Sequence, residues 1–336
     1  MNISIVIPAF NSQKTIAQAI EACLQQIYDQ GEIEVIIVDD GSTDDTQKIV
    51  RSYPVGYIFQ ENSGPAKARN TGWEAAQGDI ICFTDSDCIP HSDWVQKLVR
   101  NFNAKDVGAV GGSYSIANEE NLLAACIHQE ILLRHEQMPK RAKALGSYNL
   151  SVPKRLLEKI GGFNEEYTQA SGEDNDLCYR LIKAGYSLYF EKEALVFHYH
   201  PSNFLRYLRH QFWHGYWRVK LYQDHPGMMR GDDYSGLFDF IQPPCFLLTF
   251  GLVPFVWLSP VDQILLILST LGLIFQIPLA AKIAARKRQY KYLMIIPINF
   301  SRGFARSLGM AVGILRFWLL DRQKRKSPRQ ECTANR

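Results

Sequence analysis

Short apolar runs alternate with helical stretches over the first two hundred residues of the chain. The runs at 3–7, 34–38, 57–59 and 80–83 are nearly continuous in apolar residues, as expected of strands that are buried on both faces. Between them, apolar side chains recur at the spacing of an amphipathic helix, most clearly over 13–26. This strand–helix–strand order predicts an α/β fold with a parallel sheet that helices cover on both sides.

The same pattern continues through the middle of the chain. The further predicted elements are helices over 92–102 and 119–135, strands over 107–111 and 145–152, a turn at 161–165, a helix that begins near 173, and strands over 188–190 and 195–197. The globular part of the chain is therefore expected to extend to about residue 201.

After Pro201 the balance of side chains changes. A predicted helix over 203–223 mixes aromatic and basic residues, which suits the interface of a membrane or, as the alternative, a helix docked on the preceding domain. Two apolar runs follow, over 240–258 and 264–285, and each approaches the roughly 20 residues that span a bilayer. Prolines interrupt the first run. The sequence predicts a helical membrane hairpin joined by a short link at 259–262.

A third apolar segment, 292–320, carries three arginines, which favours a re-entrant or interfacial element over a clean crossing, with a third span as the alternative. Basic residues at 286–288 indicate a cytoplasmic end for the second run. In another interpretation, all these helices pack on the globular domain in water. The predicted division is a globular domain over 1–201, an interfacial helix and linker over 202–235, a membrane region over 236–322, and a basic tail over 323–336 that anionic lipid attracts.

Composition narrows the class of protein only slightly. The 336 residues, 46% of them hydrophobic, are enough for a large core and for more than one domain. The net charge of +3 says little about partners, and we expect no nucleic acid among them. The 7 cysteines are scattered, so we expect reduced thiols in a cytosolic compartment rather than disulfides or a zinc site. We expect no signal peptide, because the first strand begins at once.

Two carboxylates follow the most apolar predicted strand. Asp85 and Asp87 come after the run at 80–83 and point the same way if the chain stays extended. Ligands of open α/β sheets bind beyond the carboxyl ends of the strands, and paired carboxylates suit a hard divalent cation that could grip a diphosphate. The alternative is a solvated turn that caps the next helix.

Other polar residues follow the same logic. Asp39 and Asp40 come directly after the strand at 34–38, where a carboxylate can accept a hydrogen bond from a base or from a ribose hydroxyl. Lys67 and Asn70 lie three apart in a helix that starts after Gly64, and this face either orients a phosphate or sugar or is merely solvated. The chain has neither a Gly-x-Gly-x-x-Gly motif nor a P-loop.

Two later clusters carry possible chemistry. Glu173 and Asp174 lie in the first turn of a predicted helix, where the helix dipole favours acidic residues. In the sharper interpretation, one of them projects into a cleft as a general base. His198 and His200 close the last predicted strand, either as structural residues or as a metal or phosphate contact.

Taken together, the motifs resemble the family 2 inverting glycosyltransferases, which have the nucleotide-diphospho-sugar transferase (GT-A) fold. The matching motifs are V-I-P-A-F-N at 6–11, V-D-D-G-S-T-D at 38–44, G-P-A-K-A-R-N at 64–70, T-D-S-D at 84–87, G-G-F at 161–163 and G-E-D-N-D-L at 172–177. The resemblance covers roughly residues 3 to 200. It implies an α/β fold with a Rossmann-like mixed sheet, helices on both faces, and the C-terminal membrane helices outside it. The Gln-x-x-Arg-Trp motif of processive synthases is absent.

The resemblance also implies a nucleotide pocket at the first two strands. Asp40 would bind the nucleotide base, and Asp39 would support the turn that carries it. Pro8, Phe10 and Asn11 would line the pocket.

The sugar and metal part of the site is implied in the same way. Lys67 and Asn70 would lie near the nucleotide and the sugar. Asp85 would face the ribose or the sugar and belong with Asp87 to the metal-binding pair, which would hold Mn²⁺ or Mg²⁺ against the diphosphate. His198 would be an additional metal ligand.

Asp174 resembles the catalytic base of the family, with Glu173 as the alternative. Resemblance and predicted membrane region together imply transfer of a sugar from a nucleotide diphosphate, with uridine favoured, to a lipid-linked saccharide or glycan at the cytoplasmic face of a membrane. The expected partners are this donor, this acceptor and membrane lipids. The alternatives are transfer onto polyprenyl phosphate, polysaccharide synthesis and, from another class, a non-catalytic scaffold subunit that binds nucleotide sugar.

Overall fold

A computed structural model describes residues 1–104, 106–228, 233 and 237–320 of the chain. The strands in this part are β1 Ile3–Ala9, β2 Ile33–Asp40, β3 Gly56–Gln60, β4 Ile80–Thr84, β5 Cys88–Pro90, β6 Val107–Ile116, β7 Arg141–Ala142, β8 Asn149–Pro153 and β9 Ser187–His198. The helices are α1 Ile16–Leu24, α2 Thr46–Val50, α3 Pro65–Ala75, α4 Trp94–Val99, α5 Leu122–Gln137, α6 Lys154–Ile160, α7 Glu173–Lys183, α8 Phe204–Asp224, α9 Leu237–Leu252, α10 Val261–Ile274, α11 Ile277–Lys287 and α12 Ile295–Gly313.

The strands of this part form a single mixed sheet in the order β3-β2-β1-β4-β8-β6-β9-β5, with β7 paired to β9. The first four strands of this order run parallel, as the apolar runs predict. Strand β8 lies antiparallel between β4 and β6, which makes the sheet mixed. The expected α/β fold is therefore confirmed, and the carboxyl ends of β1, β2 and β4 share one edge of the sheet.

Alternating side chains of β1 supply two cores, one on each face of the sheet. Ile5 and Ile7 belong to the cluster that contains Ile16 of α1, whereas Val6 belongs to the cluster that contains Leu177 of α7. Each of these side chains is fully buried. Burial of one such aliphatic side chain stabilises the fold by roughly 1.5–3 kcal/mol, so both helical layers are held firmly against the sheet.

Two strand predictions differ from the structure in their extent. The runs at 188–190 and 195–197 form one strand, β9, instead of two. Its register against β6 shifts between Gly112, which pairs with Glu191, and Ser113, which pairs with Leu195, so residues 192–194 bulge without ending the strand. Asp39 and Asp40 are the last residues of β2 and do not follow it. Both are buried, because β1 and β3 flank this end of the strand.

Helices α8 and α12 cross at very short range. A methyl group added at Gly215 would lie 1.9 Å from the carbonyl oxygen of Arg306, and one added at Gly309 would lie 1.9 Å from that of Phe212. Glycines let two helix backbones approach in this way. Buried side chains of α8 also pack on the globular domain, where Trp217 contacts Tyr167. The alternative interpretation, in which these helices dock on the rest of the protein, therefore applies to α8 and α12. Lipid contact of α8 stays a prediction.

Two of the three arginines of the third apolar segment have partners within the protein. Arg302 donates two hydrogen bonds of 2.9 Å to Glu130 of α5, and Arg306 donates one of 2.7 Å to Gln211 of α8. The re-entrant element was expected from these charges, and it stays a prediction. The basic tail at 323–336 lies outside the described residues.

The predicted membrane hairpin is only partly present. Among the described residues, α10 and α11 together form one helical stretch of 27 residues, Val261–Lys287, that is long and apolar enough to cross a membrane. The first run forms a shorter apolar helical stretch, Gln242–Phe255. Pro243 and Pro244 lie inside helix α9. An internal proline removes one backbone hydrogen bond but does not have to end a helix. It ends two residues before Pro254. A hairpin of two full spans is therefore not found.

We expect Gly309→Ala to weaken the docking of α12 on α8, because its methyl group meets the Phe212 carbonyl. Overpacking of this kind costs about 1–3 kcal/mol. The matched control is Gly251→Ala in α9, where an added methyl group meets nothing within 4 Å. Thermal unfolding in detergent should show a lower midpoint for Gly309→Ala alone. Equal midpoints for both variants would show that the two helices are not in close contact.

Candidate active site

A buried arginine joins two acidic motifs that are far apart in the sequence. Arg69 of α3 donates from one nitrogen to Asp85 at 2.8 Å and from another to Glu173 at 2.9 Å. Asp85 follows β4 and Glu173 begins α7, so this double pair fixes the end of a strand against the start of a helix. Arg69 is 2% exposed and Glu173 equally so. At this depth, Glu173 without the arginine would be an uncompensated buried charge, whereas the Asp85 side chain is 32% exposed.

The possible metal ligands come together through strand pairing. Cys88 lies opposite His198 in the antiparallel ladder of β5 and β9, and the Tyr199 N–H donates to the Asp87 carbonyl at 3.0 Å. Ligand atoms of Asp87, Cys88 and His198 therefore lie within 4.8 Å of one another, with His198 Nε2 3.5 Å from Asp87 Oδ1. Asp85 is not part of this group, since its carboxylate binds Arg69.

This donor set fits a hard divalent cation in its oxygen and nitrogen atoms. Carboxylate and imidazole ligands suit Mn²⁺, and Mg²⁺ prefers oxygen. The Cys88 thiol is fully buried, and burial together with Asp87 raises its pKa well above the usual value, so it stays protonated beside them. Two protein ligands leave several coordination positions for oxygen atoms of a substrate.

Asp39 and Asp40, the acidic pair at the end of β2, hold loops at the same edge of the sheet by hydrogen bonds. Asp39 accepts hydrogen bonds from the Ser42 N–H and from the Tyr57 hydroxyl, both at 2.9 Å. Asp40 accepts from the backbone N–H groups of Ser63 and Gly64, also at 2.9 Å, and from Gln60 at 2.6 Å. A carboxylate has about four acceptor positions, so Asp40 retains capacity for one further donor. Its contact with a nucleotide base stays a prediction.

Residues after β1 tie that loop to its neighbours. Asn11 has a positive φ of 50° and accepts a hydrogen bond of 2.8 Å from the Thr43 N–H. Ser12 exchanges a hydrogen bond of 2.7 Å with Ser86, which stands between the two aspartates of the β4 motif. Phe10 is 50% exposed at this loop, and Pro8 lies inside β1. The loop is thus held between the ends of β2 and β4, as a wall of the predicted nucleotide pocket would be.

Lys67 and Asn70 do lie on one face of α3, and both contact Glu165. The distances are 3.2 Å from Lys67 Nζ and 2.9 Å from Asn70 Nδ2. Asn70 is 3% exposed and also bonds the backbone N–H and carbonyl of Phe163 and the Trp73 indole. Its side chain therefore holds the G-G-F turn. The polar atoms of Asn70 are engaged within the protein, and the position of Lys67 and Asn70 near the nucleotide and the sugar stays a prediction.

Two adjacent carboxylates begin α7 in different environments. Burial and the neighbouring Asp174 raise the pKa of Glu173 to about 7, against the opposing effect of Arg69. Glu173 Oε2 is buried without a hydrogen-bond partner in the described part of the chain. Burial also raises the pKa of Asp174, although the Asn175 N–H binds its carboxylate at 2.7 Å. A raised pKa makes Asp174 a stronger proton acceptor than an exposed aspartate.

Asp174 opens onto a cavity of about 830 Å³ that reaches the C-terminal helices. Its lining includes Asp85, Glu173 and Asp174, and also Pro243 and Pro244 of α9 and Trp318. Arginines of four elements also line the cavity, namely Arg69, Arg134, Arg218, Arg302 and Arg306. The helices after residue 201 therefore complete the site that begins at the edge of the sheet.

Sequence reasoning assigned no role to Arg69 or Cys88. A signal for Arg69 was present, since it shares the inward face of α3 with Ala66 and Gly72, three residues to either side. A charged residue on an apolar helix face needs a buried partner. Cys88 gave no such signal, because only the pairing of β5 with β9 brings it beside His198.

Family comparison agrees with this architecture. The chain matches the model of Glycosyl transferase family group 2 over residues 80–302 and that of Glycosyl transferase family 2 over residues 4–155. The first match covers more than half of the chain. The chain therefore belongs to the family 2 glycosyltransferases, and it is a glycosyltransferase of GT-A fold.

Curated relatives match more than half of the chain. Glycosyltransferase AglE of Haloferax volcanii is 32% identical over 204 residues, which are 58% of this chain and 66% of that protein. The pre-mycofactocin glycosyltransferase of Mycobacterium tuberculosis is 32% identical over 205 residues, 58% of this chain and 43% of that protein. The chain thus spans about two thirds of one relative and less than half of the other.

Among solved structures, the mannosyltransferase PcManGT from Pyrobaculum calidifontis, in complex with GDP-Man and Mn²⁺, has a TM-score of 0.57. It is 18% identical, and the superposition covers 92% of this chain and 86% of that chain. At this identity the likeness shows the fold alone. It extends beyond the globular domain, because 92% of the chain includes most of the C-terminal helices.

We expect Arg69→Met to destabilise the protein and to abolish transfer. Removing one partner of a buried charge pair costs about 3–5 kcal/mol, and here two carboxylates lose their partner. The matched control is Arg100→Met, which removes an arginine paired with Glu191 and Glu193 but 49% exposed in its side chain. Exposed pairs contribute about 0–1 kcal/mol. Chemical denaturation that gives both variants the same loss would contradict the structural role of Arg69.

Proposed function

We propose that the chain transfers a sugar, with inversion, from a nucleotide diphosphate donor to a lipid-linked saccharide or glycan acceptor at the cytoplasmic face of a membrane. The observation that carries the proposal is the cavity at Asp174. It connects the acidic edge of the sheet with the apolar C-terminal helices. A sugar donor at the sheet and an amphipathic acceptor from the helices would meet at this carboxylate.

The donor side is supported by the loops that surround the ends of β1, β2 and β4. Asp40 and Asn11 shape the loops at which the base and ribose would bind, and Asp87 with His198 would hold a divalent cation. Such a cation, when bound, neutralises charge on the departing diphosphate. The resemblance favours a UDP-sugar, whereas the similar PcManGT structure contains GDP-Man and Mn²⁺. We propose that the donor nucleotide carries uridine rather than guanosine.

Asp174 is proposed as the base that removes the proton from the acceptor hydroxyl. It lines the cavity and is partly exposed, whereas Glu173 is buried against Arg69. One carboxylate accepts the proton while the hydroxyl oxygen attacks the anomeric carbon from the side opposite the diphosphate. A single displacement of this kind inverts the anomeric centre. Glu173 instead keeps Arg69 and Asp85 in place.

The lipid part of the proposal depends on the C-terminal helices. Helix Val261–Lys287 is only 11% buried in its most apolar window, and large apolar side chains such as Trp257 and Leu266 are 74% and 68% exposed. An apolar surface of this extent on a single chain is typical of contact with lipid or another protein. The basic residues 286–288 at its end support a cytoplasmic orientation for the catalytic domain.

A second candidate function is transfer of the sugar directly onto a polyprenyl phosphate. The arginines that line the cavity favour it, since guanidinium groups bind phosphate with two parallel hydrogen bonds. Arg218 of α8 and Arg306 of α12 line the same cavity as Asp174. A non-catalytic scaffold subunit is disfavoured, because such a protein has no need of the complete set of acidic motifs.

We expect Asp174→Asn to lower the rate of transfer by about 10²–10⁴-fold while donor binding persists, because an amide cannot accept the hydroxyl proton. Transfer would be measured with the full chain in detergent, a panel of nucleotide sugars, and polyprenyl-linked saccharides or polyprenyl phosphate as acceptors. Asp106→Asn is the matched control, since Asp106 precedes β6 at the strand end remote from the cavity.

Three outcomes would contradict this proposal. Equal rates for wild type and Asp174→Asn would remove Asp174 as the base. A larger loss in Glu173→Gln than in Asp174→Asn, at an unchanged unfolding midpoint, would assign the base to Glu173. Activity that is indifferent to polyprenyl-linked acceptors but present with soluble glycans would reject the lipid-linked acceptor and leave the donor assignment intact.

A further inference from the structure

Three histidines form a hydrogen-bonded chain that leads from Asp87 into the protein. His198 Nε2 lies 3.5 Å from Asp87 Oδ1, and its other nitrogen, Nδ1, lies 2.9 Å from Nδ1 of His200. The remaining nitrogen of His200, Nε2, lies 3.3 Å from Nδ1 of His128. These contacts thus use both ring nitrogens of His198 and of His200.

Secondary structure and burial hold the three histidines in place. His198 ends β9, His200 follows two residues later, and His128 comes from the middle of α5. His200 and His128 are 3% and 5% exposed. Asn118 bonds the backbone of His200 in both directions, with its amide donating to the carbonyl at 2.8 Å and its oxygen accepting from the N–H at 3.1 Å.

Tyr114 of β6 restricts the same rings from the side. Its ring centroid lies 5.0 Å from that of His198 and 5.6 Å from that of His200. The two histidine rings meet edge to face at 4.5 Å. Neither ring can turn over without displacing the others, so the direction in which His198 Nε2 points is set by its surroundings.

Each hydrogen bond of the chain needs one N–H and one bare nitrogen, and a neutral imidazole has one of each. If His198 Nε2 binds a cation, its proton is on Nδ1 and is donated to His200. His200 then carries its proton on Nε2 and donates to His128. If His198 instead donates from Nε2 to Asp87, all protons take the opposite positions. Only these two arrangements satisfy both bonds between neutral rings, and a cation selects the first.

We propose that His200 and His128 are positioning residues for the cation site: they hold His198 with Nε2 toward Asp87 and stabilise the tautomer that binds metal. This inference rests on the proposed cation site at Asp87 and His198. Neither positioning residue touches substrate or metal. Hydrogen-bonded partners of metal-ligating histidines typically change metal affinity by 10–100-fold.

The test measures Mn²⁺ affinity directly, by the electron paramagnetic resonance signal of free Mn²⁺, with the full chain in detergent and no sugar donor. Two isosteres of His200 separate its nitrogens: His200→Asn keeps an acceptor where Nδ1 is, and His200→Gln keeps a polar group where Nε2 is. We expect His200→Gln to lose about 10–100-fold in affinity and His200→Asn to lose less. We expect a smaller loss for His128→Leu, which is one hydrogen bond further away.

The matched control is His135→Leu. This imidazole is also buried, at 3% exposed, and its ring stacks on Tyr114, but its Nδ1 bonds Ser113. We expect it to leave Mn²⁺ affinity within about twofold of wild type. Thermal unfolding of every variant checks that the fold is retained, and the pair of His200 isosteres is compared only between proteins of equal melting temperature.

Two results would overturn the inference, and they are distinguishable. If Asp87→Ala and His198→Ala abolish Mn²⁺ binding while all His200 and His128 variants bind as wild type does, the cation site is right and the histidine chain does not position it. If Asp87→Ala and His198→Ala themselves bind Mn²⁺ like wild type, the cation site of the proposed function is wrong and the inference fails with it.

Discussion

The site depends on the double pair between Arg69 and the carboxylates of Asp85 and Glu173. Asp85 and Glu173 are 88 residues apart in the sequence. Both carboxylates lie within 2.9 Å of the Arg69 guanidinium group. Because Arg69 and Glu173 are both shielded from water, neither can be removed without leaving the other as an uncompensated buried charge. This constraint fixes α7 against β4, and with it the place of Asp174.

The C-terminal helices complete what the sheet begins. Glycine contacts bring α8 and α12 together, and Arg302 of α12 pairs with Glu130 of α5. The cavity at Asp174 is lined by residues of α5, α8, α9 and α12 as well as by Asp85 and Glu173. The helices after residue 201 therefore form part of the candidate site.

Much of the fold follows from the sequence, because period-two and period-3.6 patterns determine which face of each element is buried. The parallel strands, the helices between them and the acidic strand ends could all be predicted from these patterns and the motifs. Arg69 and Cys88 could not be placed, since their partners are set by tertiary pairing. The apolar runs after residue 236 indicate burial, but hydropathy cannot distinguish cover by protein from cover by lipid. For that reason two spans were expected and one candidate helix is found.

The central claim is that Asp87 and His198, at the ends of neighbouring strands, act on a diphosphate through one divalent cation. Calorimetric titration of UDP into the full chain, with and without Mn²⁺, tests it most directly. The account predicts that Mn²⁺ tightens UDP binding in wild type and has no such effect in Asp87→Asn, while Asp174→Asn keeps the full effect. Identical UDP affinity with and without Mn²⁺, or an undiminished effect of Mn²⁺ in Asp87→Asn, would contradict it.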